Sequence, residues 1–186
     1  MSPPLNTLPR PAPPKQVRWH PGAQYLRAQL PETLRPWLFA EGSLTQRLIA
    51  LSGDRFRVQV LAQCWQRPAP AEAHLLGQPP TARALIREVI LFGGDQPWVY
   101  ARSILPASTL TGDLRRLRKL QNSSLGALLF TYPDLHRQPF ELACSNGLWG
   151  RRSRFELGRR ALIVSEFFLP DFADAVRASP MNEAVS

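Results

Sequence analysis

The sequence has few of the residues that hold metal ions or form covalent cross-links. Its 186 residues include two cysteines, Cys64 and Cys144, and three histidines, His20, His74 and His136. The cysteines lie eighty positions apart and the histidines are scattered without ligand spacing. Neither a disulfide framework nor a zinc site is indicated, and we expect no metal.

Long apolar runs are also absent. No run approaches the roughly 18 to 20 residues of a membrane-spanning helix, and the amino-terminal segment has no apolar block typical of a signal peptide. We therefore expect a cytoplasmic protein without an integral membrane segment. The length and the hydrophobic content of 44% suffice for one domain with a core. We expect a flexible proline-rich leader at 1–16, the domain at 17–172, and a tail with little regular pattern at 173–186.

Acidic residues are scarce relative to basic ones. There are 14 acidic and 23 basic residues, 21 of them arginine, and the formal net charge is +9. Such a surplus attracts anionic partners, so nucleic acid has to be considered. The densest basic runs, RRLRK at 115–119 and RRSR at 151–154, are short, and no aromatic–basic repeat accompanies them. A solvated basic surface is the favoured interpretation, with a small anionic ligand next and no nucleic acid.

The hydrophobic pattern predicts an α+β fold with about six antiparallel strands and helices packed on one side of the sheet. Alternation in DRFRVQVLAQCWQ places Val58, Val60 and Cys64 on one face, so Cys64 is expected in the core. A turn at GGDQP predicts a hairpin, and a tight turn at Gly158 and Arg159 joins the last two strands. The predicted strands are 54–66, 82–92, 98–106, 138–145, 151–158 and 161–170, with helices within 31–53 and 111–130.

The strand ALIREVILF, residues 84–92, carries two charges among apolar residues. Arg87 shares one face with Leu85 and Val89, and Glu88 lies on the other face. A buried guanidinium requires a charge partner from the protein or from a ligand. Glu166 in the last strand has an equally apolar pattern around it. Arg87 and Glu166 could form a structural ion pair, or they could line one polar pocket that binds an anion.

Two serines precede predicted helical segments. Ser43 would cap a helix that begins at Leu44, and Ser123 or Ser124 would cap the helix that contains Leu125. Capping by itself explains these serines, although the free amides of a helix amino terminus also bind carboxylates.

Several motifs together resemble the chorismate pyruvate-lyase family. They are IREVILFGGDQPWVYARSILPASTL, SSLGALLF, GLWGRRSRF and IVSEFFLP, in the order and at about the spacing of that family. The resemblance covers 83–170 firmly and 33–51 more loosely. It implies that the domain at 17–172 is chorismate lyase-like, with an internal ligand cavity under helical flaps.

The resemblance also implies an activity and a set of site residues. The family converts chorismate into 4-hydroxybenzoate and pyruvate for ubiquinone biosynthesis, without metal or organic cofactor. Carried over by motif, Arg87 would bind the ring carboxylate, and Glu166 would face the ring hydroxyl or the ether oxygen. The main chain at Leu44 and Leu125 would complete the cavity. We further expect Glu166 to donate a proton to the departing ether oxygen and Arg102 to face the same cavity or the second carboxylate.

Two other classes of function stay open at the level of sequence. A noncatalytic domain that binds an aromatic acid would use the same fold, since fold alone does not determine chemistry. A basic nucleic-acid-binding protein would show steeply salt-dependent retention on DNA or RNA. We expect the lyase, acting on chorismate as a monomer.

Overall fold

Eight β-strands form one antiparallel sheet in the computed structural model, which describes residues 7–179. The strands are β1 (His20–Pro21), β2 (Phe56–Gln66), β3 (Ala84–Gly93), β4 (Gln96–Pro106), β5 (His136–Arg137), β6 (Glu141–Ser145), β7 (Leu148–Leu157) and β8 (Arg160–Phe168). Their order across the sheet is β1-β6-β7-β8-β4-β3-β2, with β5 paired to β7. The expected leader residues 1–6 and tail residues 180–186 lie outside the described residues.

The number of strands differs from the expected count of about six. Six of the eight coincide with the six predicted segments, and the β3–β4 hairpin forms at the predicted turn. The other two, β1 and β5, have two residues each and pair with β6 and β7. A two-residue strand has no periodicity to detect, and only the partner strand defines it.

Five α-helices accompany the sheet in the described part of the chain. They are α1 (Arg35–Leu38), α2 (Leu44–Ser52), α3 (Pro70–Leu76), α4 (Leu125–Leu129) and α5 (Pro170–Ala178), and a 3-10 helix spans Gly112–Lys119. Helix α5 extends into the tail at 173–186 and corrects the expectation of little regular pattern there. Its Phe172 and Val176, four residues apart, are buried on one helix face. Across residues 7–179 no helix has both the length and the apolarity needed to cross a membrane.

One sheet face, here called the inner face, carries most of the helices. Residues of α1, α2 and α5 pack there on β2, β3, β4 and β8, with Leu38, Leu48 and Phe172 fully buried. The 3-10 helix and α4 cover the other end of the same face, where Leu114, Leu117 and Leu129 meet Leu85 and Leu105. Burial of these apolar side chains is the main stabilising contribution to the helix–sheet contact.

The outer face of the sheet is covered as well, which corrects the expectation of helices on one side only. Leu76 of α3 packs against Ile86 and Ile163 of this face. Residues 7–16, within the segment expected to be a flexible leader, also contact the fold. Leu8 is buried in a cluster with Ile90, among others. The Ala12 N–H donates to Ser145 Oγ at 2.9 Å.

A β-bulge in β2 changes which side chains of that strand reach the inner face. Val60 pairs with Val89, but Ala62, two residues on, pairs with Glu88, so the alternation shifts by one residue at the bulge. Gln63 consequently pairs with Arg87, and Cys64 is exposed. The predicted core position of Cys64 is therefore wrong, because the pattern was extended across a bulge that the sequence does not mark.

Candidate functional site

Two adjoining cavities lie between the inner face of the sheet and the helices α2 and α4. The first, here called the Arg87 chamber, is lined by Thr45, Val58, Arg87, Val89, Leu91, Ala101, Ser103, Ser123, Ser124, Leu125, Gly126, Val164 and Glu166. The second, the Arg137 chamber, is lined by Gly42, Leu44, Thr45, Gly126, Leu129, Phe130, Arg137, Phe140, Arg151, Ser153, Phe155, Val164 and Glu166. Thr45, Gly126, Val164 and Glu166 line both, so the chambers share a wall.

The starts of helices α2 and α4 are in contact above the residues that both chambers share. The hydroxyls of Thr45 in α2 and Ser124, the residue that caps α4, are 2.5 Å apart. Gly126 permits this approach, because a Cβ atom on it would lie 3.1 Å from Thr45 Oγ1. This side-chain hydrogen bond connects the starts of α2 and α4 over the cavities.

Arg87 is a buried cation whose partners in the described part of the chain are all neutral. It is 2% exposed. Its NH1 donates to Gln63 Oε1 at 2.9 Å, and its NH2 donates to the main-chain oxygens of Gln121 at 2.6 Å and Ser123 at 3.1 Å. Among residues 7–179 no carboxylate forms an ion pair with it. Burial lowers the pKa of Arg87, which reflects the cost of an uncompensated charge.

Glu166 lines the same chamber as Arg87 but is paired with a different arginine. Arg151 Nε donates to Glu166 Oε2 at 2.7 Å. The two residues are cross-strand partners in the β7–β8 hairpin. Arg151 is 2% exposed, and its NH1 also donates to the main-chain oxygens of Trp37 at 2.7 Å and Ala40 at 2.9 Å. The alternative of an Arg87–Glu166 ion pair is therefore not realised.

A third arginine, Arg137 of β5, lies in the second chamber. Its NH1 donates to the Gly42 main-chain oxygen at 3.3 Å, and its guanidinium lies over the ring of Phe140, 4.2 Å from the centroid. Burial lowers the pKa of Arg137, and the positive charge of Arg151 lowers it further, while Glu166 and the exposed Glu41 act in the opposite direction.

The two predicted main-chain positions lie at the starts of α2 and α4. Ser43 Oγ accepts the Gln46 N–H, so α2 begins at Leu44. Ser124 Oγ accepts the Ala127 N–H, so α4 begins at Leu125. Of the two proposed caps for α4, Ser124 is the one used. Leu44 lines the Arg137 chamber and Leu125 the Arg87 chamber.

The structure places Arg102 away from both chambers, which corrects its expected position. In the β3–β4 hairpin Arg87 pairs with Ser103, and Arg102 pairs with Glu88 on the outer face. Arg102 Nε lies 2.9 Å from Glu72 Oε1 and NH1 lies 2.6 Å from Glu88 Oε1. Burial opposes the charge of Arg102, but the hydrogen bonds and charges of Glu72 and Glu88 outweigh it and raise its pKa. Alternation of side chains along β4 accounts for the correction.

The chamber residues Arg137, Arg151 and Ser153 were not among the predicted site residues. For Arg151 the sequence contained a usable signal. Counting outward from the predicted turn at Gly158 and Arg159 pairs position 151 with 166, as the hairpin register confirms. The expectation of an exposed basic face for RRSR is wrong, because Arg151 and Arg152 are both buried. For Arg137 no comparable signal exists, because β5 is defined only by its pairing with β7.

Comparison with known proteins places the sequence in one family. The family model described as chorismate lyase matches residues 14–178. A probable chorismate pyruvate-lyase of Pseudomonas aeruginosa (strain UCBPP-PA14) is 41% identical over 167 residues, which covers 82% of this chain and 94% of that protein. A probable chorismate pyruvate-lyase of Marinobacter nauticus is 44% identical over 142 residues, or 73% of this chain and 76% of that protein. The chain belongs to the chorismate lyase family.

Solved structures of transcription regulators are more distantly similar. PhnF from Mycobacterium smegmatis matches with a TM-score of 0.48 at 16% identity, over 71% of this chain and 65% of that chain. A GntR-family regulator from Bacillus cereus matches with a TM-score of 0.47 at 10% identity, over 63% of this chain and 93% of that chain. Similarity at this level carries no argument about function.

Proposed function

We propose that the chain is a chorismate pyruvate-lyase, which converts chorismate into 4-hydroxybenzoate and pyruvate for the ubiquinone ring without a metal or organic cofactor. The observation that carries this proposal is the buried guanidinium of Arg87, which has only neutral partners within residues 7–179 and lines a chamber together with Glu166. Membership of the chorismate lyase family supports the choice of substrate. A cytoplasmic location, a monomeric state and the absence of a nucleic-acid partner remain part of the proposal.

Arg87 is proposed to bind the ring carboxylate of the substrate. A buried cation without a carboxylate partner is costly, and an anionic ligand would compensate it. The guanidinium can donate two parallel hydrogen bonds to a carboxylate, which orients the ring as well as binding it. The main chain at Leu44 and Leu125, where the flaps begin, is proposed to complete the enclosure and keep water out.

The reaction needs few protein groups, because the product ring is aromatic. The bond between the ring carbon and the ether oxygen breaks, and its electron pair leaves with the oxygen of enolpyruvate. A proton leaves the neighbouring ring carbon, which carries the hydroxyl, and the electrons of that C–H bond form the third double bond of the ring. Enolpyruvate then takes up a proton at its methylene carbon and becomes pyruvate. The protein has to orient the substrate and stabilise the charge that develops on the departing oxygen.

Glu166 is proposed to act as the base that takes the ring proton. From the sequence we expected a protonated Glu166 that donates to the ether oxygen. The hydrogen bond from Arg151 Nε at 2.7 Å favours the base instead, because protonation of Glu166 would remove an ion pair with a buried guanidinium. Arg151 in turn is proposed to stabilise the negative charge on the departing oxygen, since it lines the chamber wall beside Glu166.

The proposal is tested by incubating the purified chain with chorismate in chelator-containing buffer. We expect 4-hydroxybenzoate and pyruvate to appear in equal amounts. Glu166→Gln should lower kcat by about a hundredfold or more, the usual contribution of a positioned base. Glu156→Gln, in the same sheet but outside both chambers, is the matched control and should retain wild-type kcat.

Two results would contradict the proposal. Binding of 4-hydroxybenzoate without turnover of chorismate would favour the noncatalytic aromatic-acid-binding domain. Full turnover by Glu166→Gln would refute the role of Glu166 as the base while leaving the lyase activity in place.

A further inference from the structure

We propose that the Arg137 chamber is a second carboxylate subsite, which binds the carboxylate of the enolpyruvyl group through Arg137, Arg151 and Ser153. The inference rests on the proposed function, because it assigns the part of chorismate that 4-hydroxybenzoate lacks. It also replaces Arg102, which the structure places on the outer face.

The formal charges of the two chambers match a dianion. The Arg87 chamber contains one guanidinium, and the Arg137 chamber contains those of Arg137 and Arg151. Glu166, in the shared wall, is the one carboxylate among the lining residues of both chambers. Among the lining residues, three positive charges and one negative charge leave a net charge of two positive charges; the exposed Glu41 acts on Arg137 from outside the lining. Chorismate has two carboxylates, so a ring carboxylate at Arg87 leaves one for the second chamber.

Ser153 indicates independently that the second chamber takes a polar group. Its side chain lies in β7 on the inner face, and the residue is 3% exposed. Its Oγ has no hydrogen-bond partner among the described residues. A buried hydroxyl without a partner is unfavourable and rare in folded proteins. Because Ser153 lines the Arg137 chamber, a ligand oxygen bound there would provide the missing partner.

Arg137 and Arg151 have the arrangement of carboxylate donors. Arg137 lies over the ring of Phe140, and stacking of this kind leaves the edge of a guanidinium free to donate in its own plane. Arg151 is held rigidly by Glu166 and by two main-chain oxygens of the α1 region. The mutual repulsion of the two arginines, which contributes to the lowered pKa of Arg137, would be relieved by an anion between them.

The position of Glu166 agrees with this division of the substrate. The hydroxyl carbon of chorismate is adjacent to the carbon that bears the enolpyruvyl ether. A ring held at Arg87 with its hydroxyl carbon at Glu166 therefore has its ether at the shared wall, and the side chain extends into the second chamber. The departing pyruvate would then leave through the Arg137 chamber.

The test compares two inert ligands that differ by one carboxylate. They are 3-(1-carboxyethoxy)-4-hydroxybenzoate and 3-ethoxy-4-hydroxybenzoate, measured by titration calorimetry against the refolded full-length chain. We expect Arg137→Met to weaken the dicarboxylate by about tenfold to a hundredfold, the usual effect of losing a hydrogen bond between charged groups. The ethoxy ligand should weaken by less than about twofold. Ser153→Ala should weaken the dicarboxylate by about threefold to tenfold.

The control is Arg116→Met, because Arg116 also lies over an aromatic ring, that of Tyr132, but is exposed and outside both chambers. It should change neither affinity. Equal weakening of both ligands by Arg137→Met would overturn the inference, since it would mean that Arg137 only anchors Gly42. No change in either ligand would also overturn it. Absence of chorismate turnover, with these ligands still discriminated, would refute the proposed function and leave the subsite standing.

Discussion

Replacement of Arg87 by methionine should weaken ligand binding strongly and change the free energy of unfolding only slightly. Arg87 and Arg102 both lie in the β3–β4 hairpin, and both are buried. Arg87 has three neutral acceptors, whereas Arg102 is paired with the carboxylates of Glu72 and Glu88. The two arginines are therefore a matched pair, one available to a ligand and one already compensated by the protein.

The expected magnitudes follow from these partners. Arg87→Met removes three hydrogen bonds of about 0.5–1.5 kcal/mol each but also a buried charge whose desolvation costs several kcal/mol. The free energy of unfolding of the ligand-free protein should therefore change by no more than about 1 kcal/mol. Arg102→Met leaves the buried carboxylate of Glu72 and the half-buried carboxylate of Glu88 without their cation, and it should lower the free energy of unfolding by about 3–5 kcal/mol.

The affinity for 4-hydroxybenzoate should show the opposite order, with a large loss in Arg87→Met and little change in Arg102→Met. Loss of a bidentate contact between Arg87 and the ring carboxylate should cost at least about 3 kcal/mol, which is more than a hundredfold in Kd. Arg102→Met should change the Kd of the folded protein by less than about twofold, because Arg102 lines neither chamber.

The assay uses urea unfolding followed by tryptophan fluorescence, and titration calorimetry with 4-hydroxybenzoate. Each protein is first unfolded and refolded to remove any aromatic acid that copurifies. The reasoning is refuted if Arg87→Met retains affinity, or if it loses as much stability as Arg102→Met. Either result would mean that Arg87 is a structural cation rather than a ligand-binding one.

Three further predictions concern the wall shared by the chambers, the contact between the starts of α2 and α4, and the outer face. Arg151→Met should lower the free energy of unfolding by about 3–5 kcal/mol in urea titrations, because Glu166 and two main-chain oxygens lose a buried donor. An unchanged free energy of unfolding would contradict the conclusion that these contacts hold Arg151 in place. Thr45→Val removes the hydrogen bond to Ser124 and should raise the dissociation rate of 4-hydroxybenzoate by about twofold to tenfold in stopped-flow fluorescence. Thr131 is exposed, so Thr131→Val should leave this rate unchanged. Burial, together with the charge and hydrogen bond of Glu88, raises the pKa of Tyr100 above 10.0, so its stabilisation is complete below pH 10 and is lost as the pH rises further. Tyr100→Phe should accordingly lessen the fall in unfolding free energy between about pH 9 and 11.5, and an unaltered fall would show that Tyr100 does not titrate with unfolding.

Most of the fold could be predicted because its long elements carry local signals. Alternation predicted β3, β4 and β8, and turn residues predicted the β3–β4 and β7–β8 hairpins. The serine caps of α2 and α4 were recognisable because a cap is a contact within three residues. The missed elements, β1 and β5, depend on partners distant in sequence, since β1 pairs with β6 and β5 with β7.

The site could be predicted only in part, for a related reason. Arg87 and Glu166 stood out because each interrupts an apolar strand, and the structure brings both to one chamber. Arg102 was expected at the same cavity because it lies on the neighbouring strand. Strand alternation sends it to the outer face, opposite Glu88. The partner of Glu166, Arg151, could have been found by counting from the turn, but a run of three arginines was interpreted as a solvated face.

The sequence by itself determined the α+β class, the two hairpins and the presence of a guanidinium and a carboxyl group within apolar strands. These features follow from side-chain alternation and turn chemistry, which act over a few residues. Only the tertiary structure decided which arginine neutralises Glu166, that Arg87 is left without a carboxylate, and that Arg137 reaches the neighbouring chamber. Charge pairing is a contact between distant segments, and its outcome depends on sheet register and on a bulge that leaves no mark in the residue pattern.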